Sequence, residues 1–160
     1  FKGPYKAGGG NSEYHAALYS ESGQEIWRVN LNRFLSRPTQ LEVQDLRLSD
    51  GNLLFNEACI SYSSEAQGRC SALVSLDPVA QRENWRSAHL TSNNMFMVHG
   101  NQVYAGYGFT SEEDFLFVLD AATGRPLSRT QLDSAHSYME VKGNTLVVVT
   151  YKSVYTFALP

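Results

Sequence analysis

Short apolar runs and strict alternation of apolar with polar positions dominate this chain, and both patterns predict β-strands. Leu146-Val147-Val148-Val149-Thr150-Tyr151 is mostly β-branched or aromatic, the composition a pleated, buried strand prefers. Met95-Phe96-Met97-Val98, Val103-Tyr104-Ala105-Gly106-Tyr107 and Phe115-Leu116-Phe117-Val118-Leu119 read the same way. The turns between such runs are chemically explicit: Ser49-Asp50-Gly51-Asn52, His99-Gly100-Asn101-Gln102 and Lys142-Gly143-Asn144-Thr145. Each sets Gly beside Asn, the residues that tolerate the positive φ of tight hairpins. No stretch with a 3.6-residue period outlasts a turn or two. The best helix candidate, residues 79–87, is contradicted by the segments it repeats.

Those repeats organise the chain. Hairpins with Gly-Asn turns recur at residues 46–59, 96–108 and 139–151, at a spacing in the forties. A second hairpin lies between them. It runs from Ala17 through Gly23 to Trp27, returns from Ser75 through Asp77 to Trp85, and appears again from Val118 through Asp120, Thr123 and Gly124 to Ser128. In the later two copies a strand ends in Leu-Asp, and the Asp is placed to cap backbone N–H groups of the turn that follows. Gly supplies positive φ. A Trp four residues on opens the outer strand and is suited to pack flat on the neighbouring unit.

This second hairpin resembles the tryptophan-docking motif of quinoprotein-type (pyrroloquinoline-quinone-like) β-propellers, Ala-x-Asp-x-x-Thr-Gly-Lys-x-x-Trp. The first copy keeps Ala17, Gly23 and Trp27, with Ser22 for Thr and Tyr19 for Asp. The second keeps Asp77 and Trp85, with Gln81 for Gly. The third keeps Asp120, Thr123 and Gly124, with Ser128 for Trp. The resemblance covers roughly residues 14–160. It implies an all-β fold, a β-propeller of four-stranded antiparallel blades, about three to four of them in this chain. Residues 1–13 are expected to form an N-terminal loop segment. A partial blade is expected at 14–31, complete blades at 41–90 and 93–132, and a partial blade at 136–159. A single closed ring typically needs 4–8 blades, so the chain reads as part of a larger ring rather than a small closed one.

Of the 160 residues, 42% are hydrophobic and 18% charged, enough for a core and too few charges for a disordered chain. The net charge of −3 and the scattered basic residues give no footprint for nucleic acid or an anionic membrane. No apolar run reaches the ~18–20 residues of a membrane span. The chain opens on Phe1, as expected of a mature, processed or truncated start. Cys59 and Cys70 match no zinc spacing. Both fall at the mouth of one hairpin, facing each other across loop 60–69. A disulfide is expected there, against the alternative of two separate thiols. It would stabilise by ~2–3 kcal/mol and points to an oxidising, extracytoplasmic compartment, whether periplasm, cell surface or secreted.

Candidate chemistry is sparse. The four histidines, His15, His89, His99 and His136, show no metal-pair spacing, and a structural role is expected of each. Asp133-Ser134-Ala135-His136 holds the residue types of a hydrolase triad, but neighbours on a strand point to opposite faces and no nucleophile elbow is present. Gly8-Gly9-Gly10-Asn11-Ser12 lacks the helix and Lys of a phosphate loop and reads as a flexible loop. Gly106-Tyr107-Gly108 reads as a strand end with close backbone approach. Ser111-Glu112-Glu113-Asp114 reads as a solvated acidic loop, since three successive carboxylates do not converge on a calcium ion unaided. Nine tyrosines and eight phenylalanines are many for this length. Those at strand positions are expected between blades. Others, including Tyr5 and Tyr14, fall near loops or strand ends. Among these, Tyr62, Tyr107 and Tyr138 are candidates for a contact surface, against the simpler reading of blade rims.

The leading functional expectation is a non-catalytic scaffold that binds a protein partner, or further blades from another chain or copy, with no cofactor. The resembled family includes outer-membrane-assembly and periplasmic lipoproteins that work this way. The alternatives are part of a quinone-dependent dehydrogenase and a glycan- or ligand-binding propeller. The resemblance implies, for the dehydrogenases, a cofactor between a Trp floor and a disulfide of adjacent cysteines, beside a calcium ion held by Glu, Asn and Asp. This chain has no adjacent cysteines.

Overall fold

The computed structural model describes residues 13–160; the expectations for Tyr5, for loop 8–12 and for residues 1–12 of the N-terminal segment lie outside the described residues. The chain forms four antiparallel sheets in sequence order. The first sheet pairs β1 (His15–Tyr19) with β2 (Glu25–Asn30). A 3-10 turn over Leu31–Phe34 follows. The second sheet is the meander β3 (Leu41–Ser49), β4 (Asn52–Cys59), β5 (Ala72–Asp77) and β6 (Arg82–Arg86). The third is β7 (Phe96–His99), β8 (Gln102–Tyr107), β9 (Phe115–Asp120) and β10 (Pro126–Gln131). The fourth holds β11 (His136–Lys142), β12 (Thr145–Thr150) and β13 (Val154–Ala158). This is the all-β, bladed architecture of a partial propeller. Residues 79–87, the best helix candidate, form a turn and β6, as the repeat requires.

Three apolar layers glue the four sheets face to face. Ala16 and Val29 of the first sheet pack with Leu53, Phe55, Val74 and Leu76 of the second. Leu54 and Leu73, on the second sheet's other face, pack with Phe96, Val103 and Leu119 of the third. Tyr104 and Leu116 pack with Met139, Leu146 and Val148 of the fourth. Period-2 alternation therefore persists even where every residue is buried, as in Leu53–Cys59 of β4: odd positions face one neighbour, even positions the other. The first strands β3, β7 and β11 lie side by side. Among the described residues no pairing joins β1 or β2 to β11–β13, so the ring does not close through them.

The turns follow their chemistry. Asp50 and Gly51 both take positive φ, 48° and 76°, as a type I′ hairpin demands. Asp120 Oδ1 accepts from the Thr123 N–H (2.8 Å) and hydroxyl (2.7 Å). Asp77 Oδ1 accepts from the N–H groups of Val79 and Ala80, both at 2.9 Å. The first copy differs from its sequence alignment by one residue. Trp27 pairs with Leu18, whereas Trp85 pairs with Ser75 and Ser128 with Val118. The first turn is one residue shorter, closed by Gly23 N–H to Ser20 O against Gly124 N–H to Asp120 O. Ser20, not Tyr19, thus stands where the other copies have Asp, and its hydroxyl accepts from the Gln24 N–H at 3.1 Å.

The sheets also meet at these turns. The Trp85 indole lies on Gly124 of the next sheet and donates Nε1–H to Ala121 O at 3.1 Å. At the preceding junction Gln81 replaces Gly at positive φ (50°). Its amide donates to Arg28 O (3.4 Å) and accepts from Arg33 (3.1 Å), so polar bridging takes the place of ring-on-glycine contact. Gly124 has φ of +69°, and a Cβ there would sit 2.3 Å from the indole. Gly124→Ala is therefore expected to destabilise by ~2–4 kcal/mol, from left-handed strain plus overpacking. Gly23→Ala, where a Cβ meets nothing within 4 Å, should lose only ~1 kcal/mol. Urea unfolding followed by tryptophan fluorescence compares the two.

Candidate interaction face

Because every sheet is a meander, tight turns gather at one end of the strands and longer loops at the other. The loop end carries the β4–β5 and β8–β9 loops, the β12–β13 turn and the connectors between sheets. The Cys59–Cys70 disulfide, with Cα atoms 5.1 Å apart, closes loop 60–69 at its base. Arg37 donates to Ala66 O at 3.2 Å from the preceding connector. On the other side the Ser63 N–H donates to Glu112 Oε1 at 2.9 Å, tying the loop to its neighbour. The Tyr62 and Phe109 rings stand 5.9 Å apart, as do those of Tyr107 and Phe109.

The candidate tyrosines separate on inspection. Tyr62 is exposed on the disulfide-closed loop, next to exposed Ile60. Tyr107 is buried and donates its hydroxyl to Glu112; burial first, then Glu112, hold the phenol well above its ordinary range. Tyr107 therefore offers no exposed surface. Tyr138 is exposed on β11 of the fourth sheet and shares no ring contact with the other two. The acidic loop is more than solvated rim, since Glu112 clasps two neighbours. Hydrogen bonds from Tyr107 and Ser63 hold its carboxyl below the ordinary range although burial opposes them. The strand end Gly106–Gly108 does have close approaches: Gly106 lies against the His136 ring, and Gly108 against Asp114. Burial holds the Asp114 carboxyl above its ordinary range, against the pull of Lys152.

A buried polar layer beneath the loops fixes the connectors. Glu57 is fully buried, pairs with Arg86 at 2.6 Å and accepts from the Ser36 N–H (2.8 Å) and hydroxyl (3.0 Å). Arg86 also donates to Phe34 O at 2.6 Å, so one pair anchors the whole connector between the first two sheets. Asn56 accepts from the N–H groups of Gln44 and Asp45 and donates to Asn94 O, pinning the β3 bulge and the next connector. The signal for this layer was the pair Asn56-Glu57 inside an otherwise apolar strand. Asp133 accepts hydroxyls of Thr150, Ser134 and Ser153 and closes no relay to His136. His136 is buried and its Nε2 lies 2.9 Å from Met95 O, an acceptor only. Nε2 therefore carries the proton, and Nδ1 stands without a hydrogen bond above Gly106.

Between the outer parts of the second and third sheets runs a groove of about 460 Å³. Its floor is Phe115, Phe117 and Leu119, and its walls include His89, Leu90 and Arg129. A quinone–calcium site does not fit the described residues. The two cysteines bridge across a loop rather than side by side, and among the described residues no group of three His, Cys, Asp or Glu is arranged to hold a metal ion. No described helix is long and apolar enough to cross a membrane.

No protein-family model matches the chain, and no curated protein matches it in sequence. Among solved structures, the chain is similar to BamB from Moraxella catarrhalis. The TM-score is 0.53 at 14% identity, over 85% of this chain and 37% of that one. It also aligns with KlHsv2 with loop 6CD replaced by a Gly-Ser linker, at TM-score 0.48 and 13% identity, over 75% of this chain and 36% of that one. The BamB likeness supports the propeller-like fold. The chain spans just over a third of the BamB length.

Burial pushes the His136 imidazole below its ordinary value of 6.5, against the hydrogen bond to Met95. Below that value the unfolded chain binds a proton that the folded chain refuses, so stability is fullest above it and falls as pH drops. Unfolding midpoints measured from neutral pH down to about pH 5 should decline more steeply in the wild type than in His136→Gln, which keeps a donor for Met95 but does not titrate there.

Proposed function

We propose that this chain is a non-catalytic propeller module that binds another protein through its loop end, in an extracytoplasmic compartment. Further blades, from a longer polypeptide or another chain, complete its ring. The observation that carries the reading is the presentation of Ile60 and Tyr62. They are 50% and 44% exposed, yet they sit on a loop closed by a disulfide and tied on both sides by Arg37 and Glu112. Apolar and aromatic side chains held rigid before binding lose little entropy on docking, the condition under which a few residues dominate an interface. The disulfide itself favours an oxidising compartment. The likeness to BamB supports the scaffold on which such loops stand, and no more than that.

A photo-crosslinking residue at position 62 tests the reading in extract or intact cells of the source. Tyr62 replaced in this way should give a discrete protein adduct. Position 79, on the opposite end and 77% exposed in the native chain, should give none. Ile60→Asp should abolish the adduct while leaving the unfolding free energy within ~0.5 kcal/mol of wild type. Equal labelling from both ends, or none from either, would remove the proposal.

A further inference from the structure

The fourth sheet has three strands where the second and third have four. Its last strand, β13, stands in the register of β5 and β9. Tyr155 takes the place of Val74 and Phe117, and Ala158 that of Asp77 and Asp120. β6 and β10 cover the outer edges of β5 and β9, whereas no described strand pairs with the outer edge of β13. At the counterparts, the Asp120 N–H donates outward to Arg125 O, and Leu73 O accepts from the Ser87 N–H. By the same register the N–H groups of Val154, Thr156 and Ala158 point to the open edge. The sequence Val-Tyr-Thr-Phe-Ala carries none of the charges or prolines that blunt the free edges of β2, β6 and β10.

The turn that sends β5 and β9 back as an outer strand has no counterpart here. Asp77 Oδ1 accepts from the Val79 N–H at 2.9 Å, and Asp120 Oδ1 from that of Thr123 at 2.8 Å. Ala158 and Pro160 hold the places of Asp77 and Val79; one lacks the acceptor and the other the N–H. Leu159, between them, is buried in the layer joining the third and fourth sheets. A strand on this edge therefore comes from elsewhere than a tight hairpin on β13.

The surroundings state what such a strand carries. Arg28, Arg86 and Arg129 hold one place on the three outer strands, opposite Ala17, Val74 and Phe117. On β13 that place lies opposite Tyr155. In the second sheet the arginine pairs with Glu57 at 2.6 Å, and Glu57 accepts the hydroxyl of Ser36 from the connector. In the fourth sheet Thr150 stands in the place of Glu57 and gives its hydroxyl to Asp133 of the connector at 2.8 Å. Acid and hydroxyl have changed sides of one contact, and here the acid has no arginine. Asp133 also takes hydroxyls from Ser134 and Ser153. Lys152 is close enough to stabilise its charge but donates to its backbone carbonyl, at 3.2 Å. The Asp133 N–H donates to the Tyr155 hydroxyl at 3.1 Å, which sets that ring beside the acid. Along the edge lies a cavity of about 270 Å³, lined by Leu116, Val118, Leu127 and Phe157 among others.

We propose that the outer edge of β13 receives an extended segment of a partner protein as the fourth, antiparallel strand of this sheet, with a basic residue opposite Tyr155 paired to Asp133. An uncharged residue opposite Phe157 covers the cavity. The proposal rests on the protein-binding reading above and assigns it a second contact.

The probe is an end-blocked, fluorescein-labelled peptide of residues 126–132, the chain's own β10 and the leucine after it. It sets Arg129 opposite Tyr155 and Pro126 opposite Phe157. Titration with the full chain, followed by anisotropy, should give saturable binding. Thr156→Pro removes one outward N–H and leaves the ladder to β12 whole, so it should abolish binding while the chain stays folded. Asp133→Asn should weaken the peptide about tenfold, and should leave the affinity of the Arg129→Ala peptide unchanged. No saturable binding, binding indifferent to Thr156→Pro, or an Asp133→Asn loss equal for both peptides overturns the proposal. So does self-association of the chain that Thr156→Pro abolishes, which would assign the edge to a second copy. If the position-62 adduct survives in any of these cases, only the β13 edge has failed and the protein-binding reading stands.

Discussion

A sheet that is apolar on both faces must be covered on both, and this constraint governs the molecule. β4 has no solvent side: Leu53 and Phe55 face the first sheet and Leu54 the third. Parallel sheets usually meet such a demand with helices on each face. Here antiparallel meanders meet it by stacking on one another, so each sheet is both core and lid. A layer of that kind has almost no tolerance for tilt. The turns that touch across junctions, Trp85 on Gly124 and Gln81 to Arg28, set the spacing of the layers as much as the apolar side chains do.

The strands and hairpin turns were legible in the sequence because their determinants are local. A Gly-Asn turn and six alternating residues state a hairpin without reference to the rest of the chain. The disulfide was legible for the same reason, its two cysteines lying at the ends of one loop. What was not legible depends on partners far along the chain. The Glu57–Arg86 pair joins two strands and a connector, and only an acid in an apolar run hints at it. Tyr107 near a strand end resembled a rim residue; a carboxylate five positions on, in an apparently solvated loop, takes its hydroxyl inward. The one-residue slip in the first docking turn was hidden because Gly23 and Trp27 align well with the other copies, while only hydrogen bonds show that Ser20 begins the turn.

The same register explains the unfinished look of the fourth sheet. Val154 stands where β5 has Leu73 and β9 has Leu116, by the pairing of Val149 with Val154, Asn56 with Leu73 and Gly106 with Leu116. Those counterparts are 0% and 2% exposed, while Val154 is 64% exposed. The outward face of the fourth sheet thus has the chemistry of a face that the next sheet covers. That is the physical ground for adding further blades to the reading, rather than bending these four sheets into a closed ring.

The junction between the second and third sheets is held both by its docking turn and by its connector. Trp85 gives this junction a half-buried indole, a hydrogen bond to Ala121 and a glycine whose place a Cβ would contest. The other two junctions lack that contact and rely on Leu31 with the Arg86 anchor, or on Leu132. An indole in such a pocket contributes more than a leucine does. The connector of this junction is packed as well: Thr91, Ser92 and Asn93 are buried, Leu90 packs on the layer between the first two sheets, and the N–H groups of Thr91 and Ser92 both donate to Ser71 O. The stability of stacked repeats is roughly a sum over units and the interfaces between neighbours, so the three junctions need not share one chemistry to hold the four sheets together.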